Sequence, residues 1–218
     1  MSAVTPAAHP SVVSVNVGLP RSITWRGRLV TSAIWKEPVE GPVRLHGVNA
    51  EGDDQADRRV HGGPDKAVYA YANEDYLWWS AQRTPITAGT FGENLTTSGL
   101  DLNECRIGDR WHIGDATLEV AQPRSPCFKL GIRMDDDAFP GVFEAANRPG
   151  VYLRIVVPGT VEAGAAIEVE ATRRPAVRIG DLAGADTSDD VLHLAATDAR
   201  VPEGWRRAAQ RALGARRG

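Results

Sequence analysis

The chain has 218 residues, a formal net charge of −3, 42% hydrophobic and 24% charged residues. That balance excludes a disordered chain and is large enough for a sizeable core. It also supplies no global basic field for nucleic acid, and no apolar run nears the roughly 20 residues that span a bilayer.

The opening MSAVTPAAHPSVV has no basic segment followed by a long apolar one, so no signal peptide is expected. Residues 1–10 read as a flexible lead-in. The two cysteines, Cys105 and Cys127, form no CxxC pair, which predicts free thiols and a cytoplasmic location.

In SVVSVNVG (11–18), Val13, Val15 and Val17 alternate, which predicts a strand. ITWRGRLVTSAIW (23–35) is rich in β-branched and aromatic residues, and predicts strand pieces around a turn or bulge at Gly27. The Gly- and Asp-rich stretch 41–65 predicts mostly loop. KAVYAYA (66–72) predicts a strand. NEDYLWWSAQ (73–82) predicts a helix capped by Asn73, with Glu74 and Asp75 in its positive first turn and Tyr76, Leu77 and Trp79 facing inward.

Further on, ECRIG places Cys105 and Ile107 in alternation, which predicts a structural, strand-borne Cys105. Trp111/Ile113 and Leu118/Val120 flank a Gly-Asp turn and predict a hairpin. Phe139–Ala146 predicts a short helix, and VYLRIVV (151–157) and AIEVEA (166–171) predict strands.

Many short strands with few helices between them predict a mainly β fold, a compact barrel over residues 11–171. After Arg173 the period becomes helical. Ser188 is placed as a cap and Pro202 as a first-turn residue. Residues 175–218 therefore predict a small appendage of three helices. Six Arg against one Glu in residues 200–218 read as a solvated face.

Three stretches can carry chemistry. In QPRSPCFKL (122–130), Pro123 and Pro126 bar regular helix or central strand, which sets Cys127 at a strand exit. Arg124 and Lys129 favour a thiolate there, the form that attacks or binds metal. The residues alone favour an inert thiol over a reactive one. RVHGGPDKAV (59–68) makes a tight turn flanked by His61 and Lys66, and lacks the spacing of a phosphate-binding P-loop. GTFGENLTTSG (89–99) offers Asn94, Thr96 and Thr97 to a polar ligand or to a strand edge. The run with Asp53, Asp54 and Asp57 reads as a solvated loop.

Taken together, GDDQADRRVHGGPDKAVYAY, FGENLTTSGL, IGDRWHIGDATLEVAQPRSPCFKL and the helical tail resemble the MOSC domain family. That family is named for the C-terminal part of molybdenum cofactor sulfurase, and the likeness is to its YiiM-like branch. The resemblance implies a distorted β-barrel with a small three-helix C-terminal domain. It also implies binding of the molybdenum cofactor, a molybdopterin, with Cys127 as the molybdenum ligand. Arg21, Lys66 and Arg124 are candidates for the pterin phosphate, and His61, Asn94 and Thr96 for the pterin heteroatoms.

The activity implied is reduction of N-hydroxylated compounds, such as hydroxylaminopurines or amidoximes, to amines. The sequence has no dinucleotide fingerprint and no iron–sulfur cysteine cluster, so a separate electron-donor protein is expected. Two alternatives remain: a sulfur carrier through a Cys127 persulfide, or a storage and transfer module for the cofactor. A hydrolase pairing Cys127 with His61 or His112 is a more distant rival.

Overall fold

A register shift between Val12 and Ser14 reorganises the first strand, β1 (Ser11–Val17). Val12 and Val15 are buried, whereas Val13 is 44% exposed, so the simple alternation expected there is broken by one irregular residue. The protein is described by a computed structural model over residues 9–56, 62–82 and 86–216. Most of the expected lead-in, and all of Asp57 to His61, lies outside these residues.

Arg26 and Gly27 both take positive φ, and they close the hairpin of β2 (Arg21–Trp25) and β3 (Arg28–Ser32). Strand β4 (Glu37–Val39) pairs with β1. The stretch expected to be loop contains two short strands, β5 (Val43–His46) and β6 (Asn49–Ala50). Their burial comes from tertiary contact of Val43, Leu45 and Ala50 with the core, which local composition does not reveal.

Strand β7 (Val68–Ala72) is buried along its whole length. Val68, Ala70 and Ala72 face the main core, and Tyr69 and Tyr71 face a second, aromatic cluster. Helix α1 (Asn73–Ser80) supplies Tyr76 and Trp79 to that cluster. Asn73 is its first residue, with Ala72 at the cap position and no side-chain cap bond, and Leu77 is 55% exposed. Both differ from the sequence expectation. The aromatic packing of Tyr76 and Trp79 fixes this helix without a polar cap.

The remaining strands are β8 (Leu95–Ser98), β9 (Arg110–Ile113), β10 (Ala116–Pro123), β11 (Val151–Val157), β12 (Gly159–Val161) and β13 (Glu168–Glu170). Eight strands form one sheet in the order β13-β9-β10-β11-β7-β8-β1-β4, and all pairs are antiparallel except β7–β8. The sheet curls into a half-barrel. Ile167 N donates to Pro10 O at 2.8 Å and Val12 N to Ala165 O at 2.9 Å, so the β1 side meets the approach to β13. The fold is mainly β and barrel-like, as the strand pattern predicts.

Cys105 is buried but precedes an isolated bridge at Arg106 rather than lying in a strand. Helices α2 (Phe128–Met134) and α3 (Phe139–Ala145) separate β10 from β11. Three more close the described chain: α4 (Ile179–Ala183), α5 (Asp189–Thr197) and α6 (Glu203–Ala215). Ser188 caps α5 by accepting from Val191 N at 3.4 Å. Leu192, Ala195, Ala209 and Leu213 bury into the main core, so these helices share it with the sheet. No helix among the described residues is long and apolar enough to cross a membrane.

Candidate functional site

Strand β10 ends at Pro123, and the chain then turns through Arg124, Ser125 and Pro126 to Cys127. Cys127 is extended, with φ −132° and ψ 170°, immediately before α2. Its carbonyl accepts from Leu130 N at 2.9 Å, so the backbone is engaged while the thiol is partly exposed. That thiol faces a cleft with an empty volume of about 600 Å³, open solvent at its mouth included.

Three other segments close the cleft. The β3 exit brings Ser32, Ala33, Ile34 and Lys36. The loop after β6 brings Asp53 to Ala56, and the turn before β7 brings Lys66. That turn depends on Gly63, whose φ of 94° an L-residue would adopt only under strain. Pro64–Lys66 then forms one 3₁₀ turn that points Lys66 inward. Tyr69, Phe91 and Tyr152 complete the aromatic wall.

Charged side chains are set among a mostly apolar lining. Among the described residues, Lys36, Lys66, Arg124 and Lys129 line the cleft with two carboxylates, Asp53 and Asp54. Lys36 Nζ is ion-paired to Asp53 Oδ1 with both side chains buried. The surplus positive charge makes the cleft attractive to an anion. Burial pulls Lys36 below the ordinary lysine range, against the opposing attraction of Asp53. Burial also lowers Lys66, with Asp65 and Cys127 working the other way. Arg124 is buried, its Nη1 donates to Phe91 O, and its guanidinium lies 4.9 Å from the Tyr69 ring centroid.

The cleft thus unites Cys127, Lys66, Arg124 and Asn94 from distant parts of the sequence. Asn94 lines it with its polar atoms committed. Its Oδ1 accepts from Tyr69 N at 3.1 Å, and its Nδ2 donates to Asp53 Oδ2 at 2.8 Å. Thr96 is fully buried outside the lining. It accepts from Asn16 and donates to Glu93 Oε1 at 2.9 Å, so its hydroxyl is structural. Arg21 is exposed and stacks over Trp35 at 4.2 Å, also outside the lining. His61 lies outside the described residues. His112 is held by Thr117 and Glu170 on β9 and does not line the cleft.

Sequence reasoning misses Lys36 and Asp53. The Asp-rich run reads as solvated, yet the Asp53 side chain is 2% exposed. Asp53 is buried because Gly18 N, Lys36 Nζ and Asn94 Nδ2 all donate to it. No local signal predicts partners so far away along the chain. A buried Glu93, fed by Gly89 N at 2.6 Å, Tyr76 Oη at 2.7 Å and Thr96, supports the next layer. Burial raises its pKa, and these donors oppose the rise.

Among the described residues, no three His, Cys, Asp or Glu side chains converge to hold a metal. Of the described residues, Cys127 would offer such a metal one sulfur donor. A soft sulfur donor in a cleft lined by cations suits a metal already bound by sulfur ligands.

Comparison with known proteins gives concordant likenesses. The MOSC domain family matches residues 57–168. Protein YiiM of Escherichia coli is 35% identical over 188 residues, covering 83% of this chain and 84% of that protein. A protein named reductase from Gibberella moniliformis is 36% identical over 152 residues, 66% of this chain but 26% of that protein. The crystal structure of YiiM from Geobacillus stearothermophilus superposes with a TM-score of 0.74 at 29% identity, covering 93% of this chain and 98% of that one.

Proposed function

This chain belongs to the MOSC domain family, and on that premise we propose that it binds the molybdenum cofactor in the Cys127 cleft and reduces N-hydroxylated compounds to amines. One observation carries the reading: a single accessible thiol and four cationic side chains line the same cleft. The name of the fungal relative, a reductase, supports the redox class.

Cys127 would ligate molybdenum through its thiolate. Lys66, Arg124 and Lys129 would offset the negative charge of the phosphate and the dithiolene, while Lys36 is held by Asp53. When bound, the cofactor supplies the two-electron chemistry. In overall balance, a hydroxylamine takes up two electrons and two protons and yields an amine and water. A separate donor protein supplies the electrons.

The chain's own contribution is placement. Tyr69 is fixed by donating to Pro149 O at 2.7 Å, and it packs against Tyr152 with ring centroids 4.9 Å apart and the planes tilted by 36°. These rings, with Phe91, form a stiff wall that limits water on one side of the thiol. Arg124, packed on Tyr69, presents a fixed charge at the same wall.

The test is metal and pterin analysis of gently purified or cofactor-loaded protein. Near-stoichiometric molybdenum, lost in Cys127→Ser, is expected, together with reduction of a hydroxylaminopurine or amidoxime by an artificial electron donor. Absence of molybdenum after loading overturns the reading. Loaded protein that does not turn over makes it a storage module. A one-sulfur mass gain on Cys127 after treatment with a cysteine desulfurase makes it a sulfur carrier.

A further inference from the structure

Two hydrogen-bonded struts cross from the C-terminal helical region to the turn that presents Lys66. In the first, Trp205 Nε1 on α6 donates to Gln122 Oε1 at 2.8 Å, and Gln122 Nε2 donates to Asp65 O at 3.0 Å. In the second, Arg154 on β11 donates through Nη2 to Arg200 O at 2.7 Å and through Nε to Asp65 Oδ1 at 2.6 Å. Both end on Asp65, the residue before Lys66.

The first strut has no ready substitute. Gln122 is 4% exposed, so water cannot easily replace either partner of its amide. Arg154 also donates to Glu119 Oε1 at 2.9 Å, and its fork is thereby held in one orientation. Arg200 itself is anchored by Asp198, Thr172 and Pro175 O, which fixes the carbonyl that Arg154 uses. Trp205 further lines a small cavity behind Arg124, Ser125 and Pro126, the segment leading to Cys127. The start of α6 thus backs both the Lys66 turn and the Cys127 loop.

We infer that the C-terminal helices position Lys66 in the cleft, with Trp205 and Arg154 as positioning residues that act through Asp65. Residues 62–66 are two glycines, a proline and one 3₁₀ turn, closed by Lys66 N to Gly63 O at 3.0 Å, with Gln55 Nε2 donating to Lys66 O at 3.2 Å. A turn this short takes its orientation from what grips it. The use of Lys66 rests on the function proposed above; its placement by the struts does not.

Hydrogen–deuterium exchange of the full chain without cofactor tests the placement. Trp205→Phe keeps the ring packing and removes the donor. Gln122→Met removes both bonds of the first strut at similar volume. In each, amides of residues 62–67 should exchange about threefold to tenfold faster, the equivalent of about one net hydrogen bond. Amides of β1 and β9 should keep their wild-type rates. Unchanged exchange over 62–67 in either folded variant overturns the inference, and so does a uniform rise across all segments.

Cofactor loading separates the two readings. If Lys66 holds the cofactor, Trp205→Phe and Lys66→Met should each lower retained molybdenum, and the double variant should lose little more. Faster exchange with undiminished loading leaves the strut in place and removes Lys66 from cofactor binding.

Discussion

Asp53→Ala tests the electrostatic frame of the cleft most directly. The side chains of Lys36 and Asp53 are 8% and 2% exposed. Asp53 accepts from Lys36 Nζ, from Gly18 N at 2.9 Å and from Asn94 Nδ2 at 2.8 Å. Removing the carboxylate leaves a buried ammonium unpaired, which costs about 3–5 kcal/mol. Lys36→Met with Asp53→Ala removes both charges. The double variant should therefore fall short of the sum of the singles by more than about 1 kcal/mol. Burial already holds Lys36 below its ordinary pKa of 10.5, and loss of Asp53 lowers it further. The unfolded chain keeps the proton up to that ordinary value, while the folded variant releases it earlier. Stability of Asp53→Ala should thus rise with pH, by about 1.4 kcal/mol per unit within that window. Urea denaturation followed by circular dichroism at two pH values measures both effects. A single-variant cost under about 1 kcal/mol with full additivity would refute the reasoning, because it would mean that Lys36 reaches water.

Three other outcomes are accessible. Burial first, then Asp109, Asp101 and Glu104, push the Cys105 thiol up to about 12, against an ordinary 9.0. The unfolded chain ionises first, so this group's contribution is full below the ordinary value and declines above it, by about 1.4 kcal/mol per pH unit. Cys105→Ala should flatten that decline in urea midpoints, and native protein treated with iodoacetamide should gain one adduct, at Cys127. Comparable modification of Cys105 would contradict its burial. Gly89→Ala should destabilise by more than about 1 kcal/mol in thermal unfolding, since φ there is 81° and a Cβ would overlap Lys36 O. An unchanged midpoint would show that the Lys36 segment yields freely.

Local pattern and tertiary packing divide the molecule along a physical line. Hairpins about Gly27 and Gly114 are legible because a tight turn needs residues that tolerate positive φ, and those residues are visible in the chain. The aromatic face of α1 is legible for the same local reason, while the expected Asn73 cap is not made. Strands β5 and β6 escape notice because their burial comes from partners elsewhere. Val13 turns outward because of a bulge that no alternation rule anticipates.

The cleft follows the same division. Cys127 is conspicuous in sequence because prolines frame it, and Lys66 because glycines and a proline shape its turn. Lys36 and Asp53 are not conspicuous. An ammonium and a carboxylate look solvated until the fold removes their water and leaves each the other's counter-charge. Arg124 stands out in sequence as a cation beside Cys127, but its packing on Tyr69 and its bond to Phe91 O are visible only in the structure. By itself, the sequence determined where the chain turns, which segments alternate as strands, and which sulfur stands in a shaped loop. Those features depend on neighbours a few residues away. Only the tertiary structure decided which charges meet, which are neutralised, and how Trp205 and Arg154 reach Asp65, because those contacts join residues brought together by the curl of the sheet.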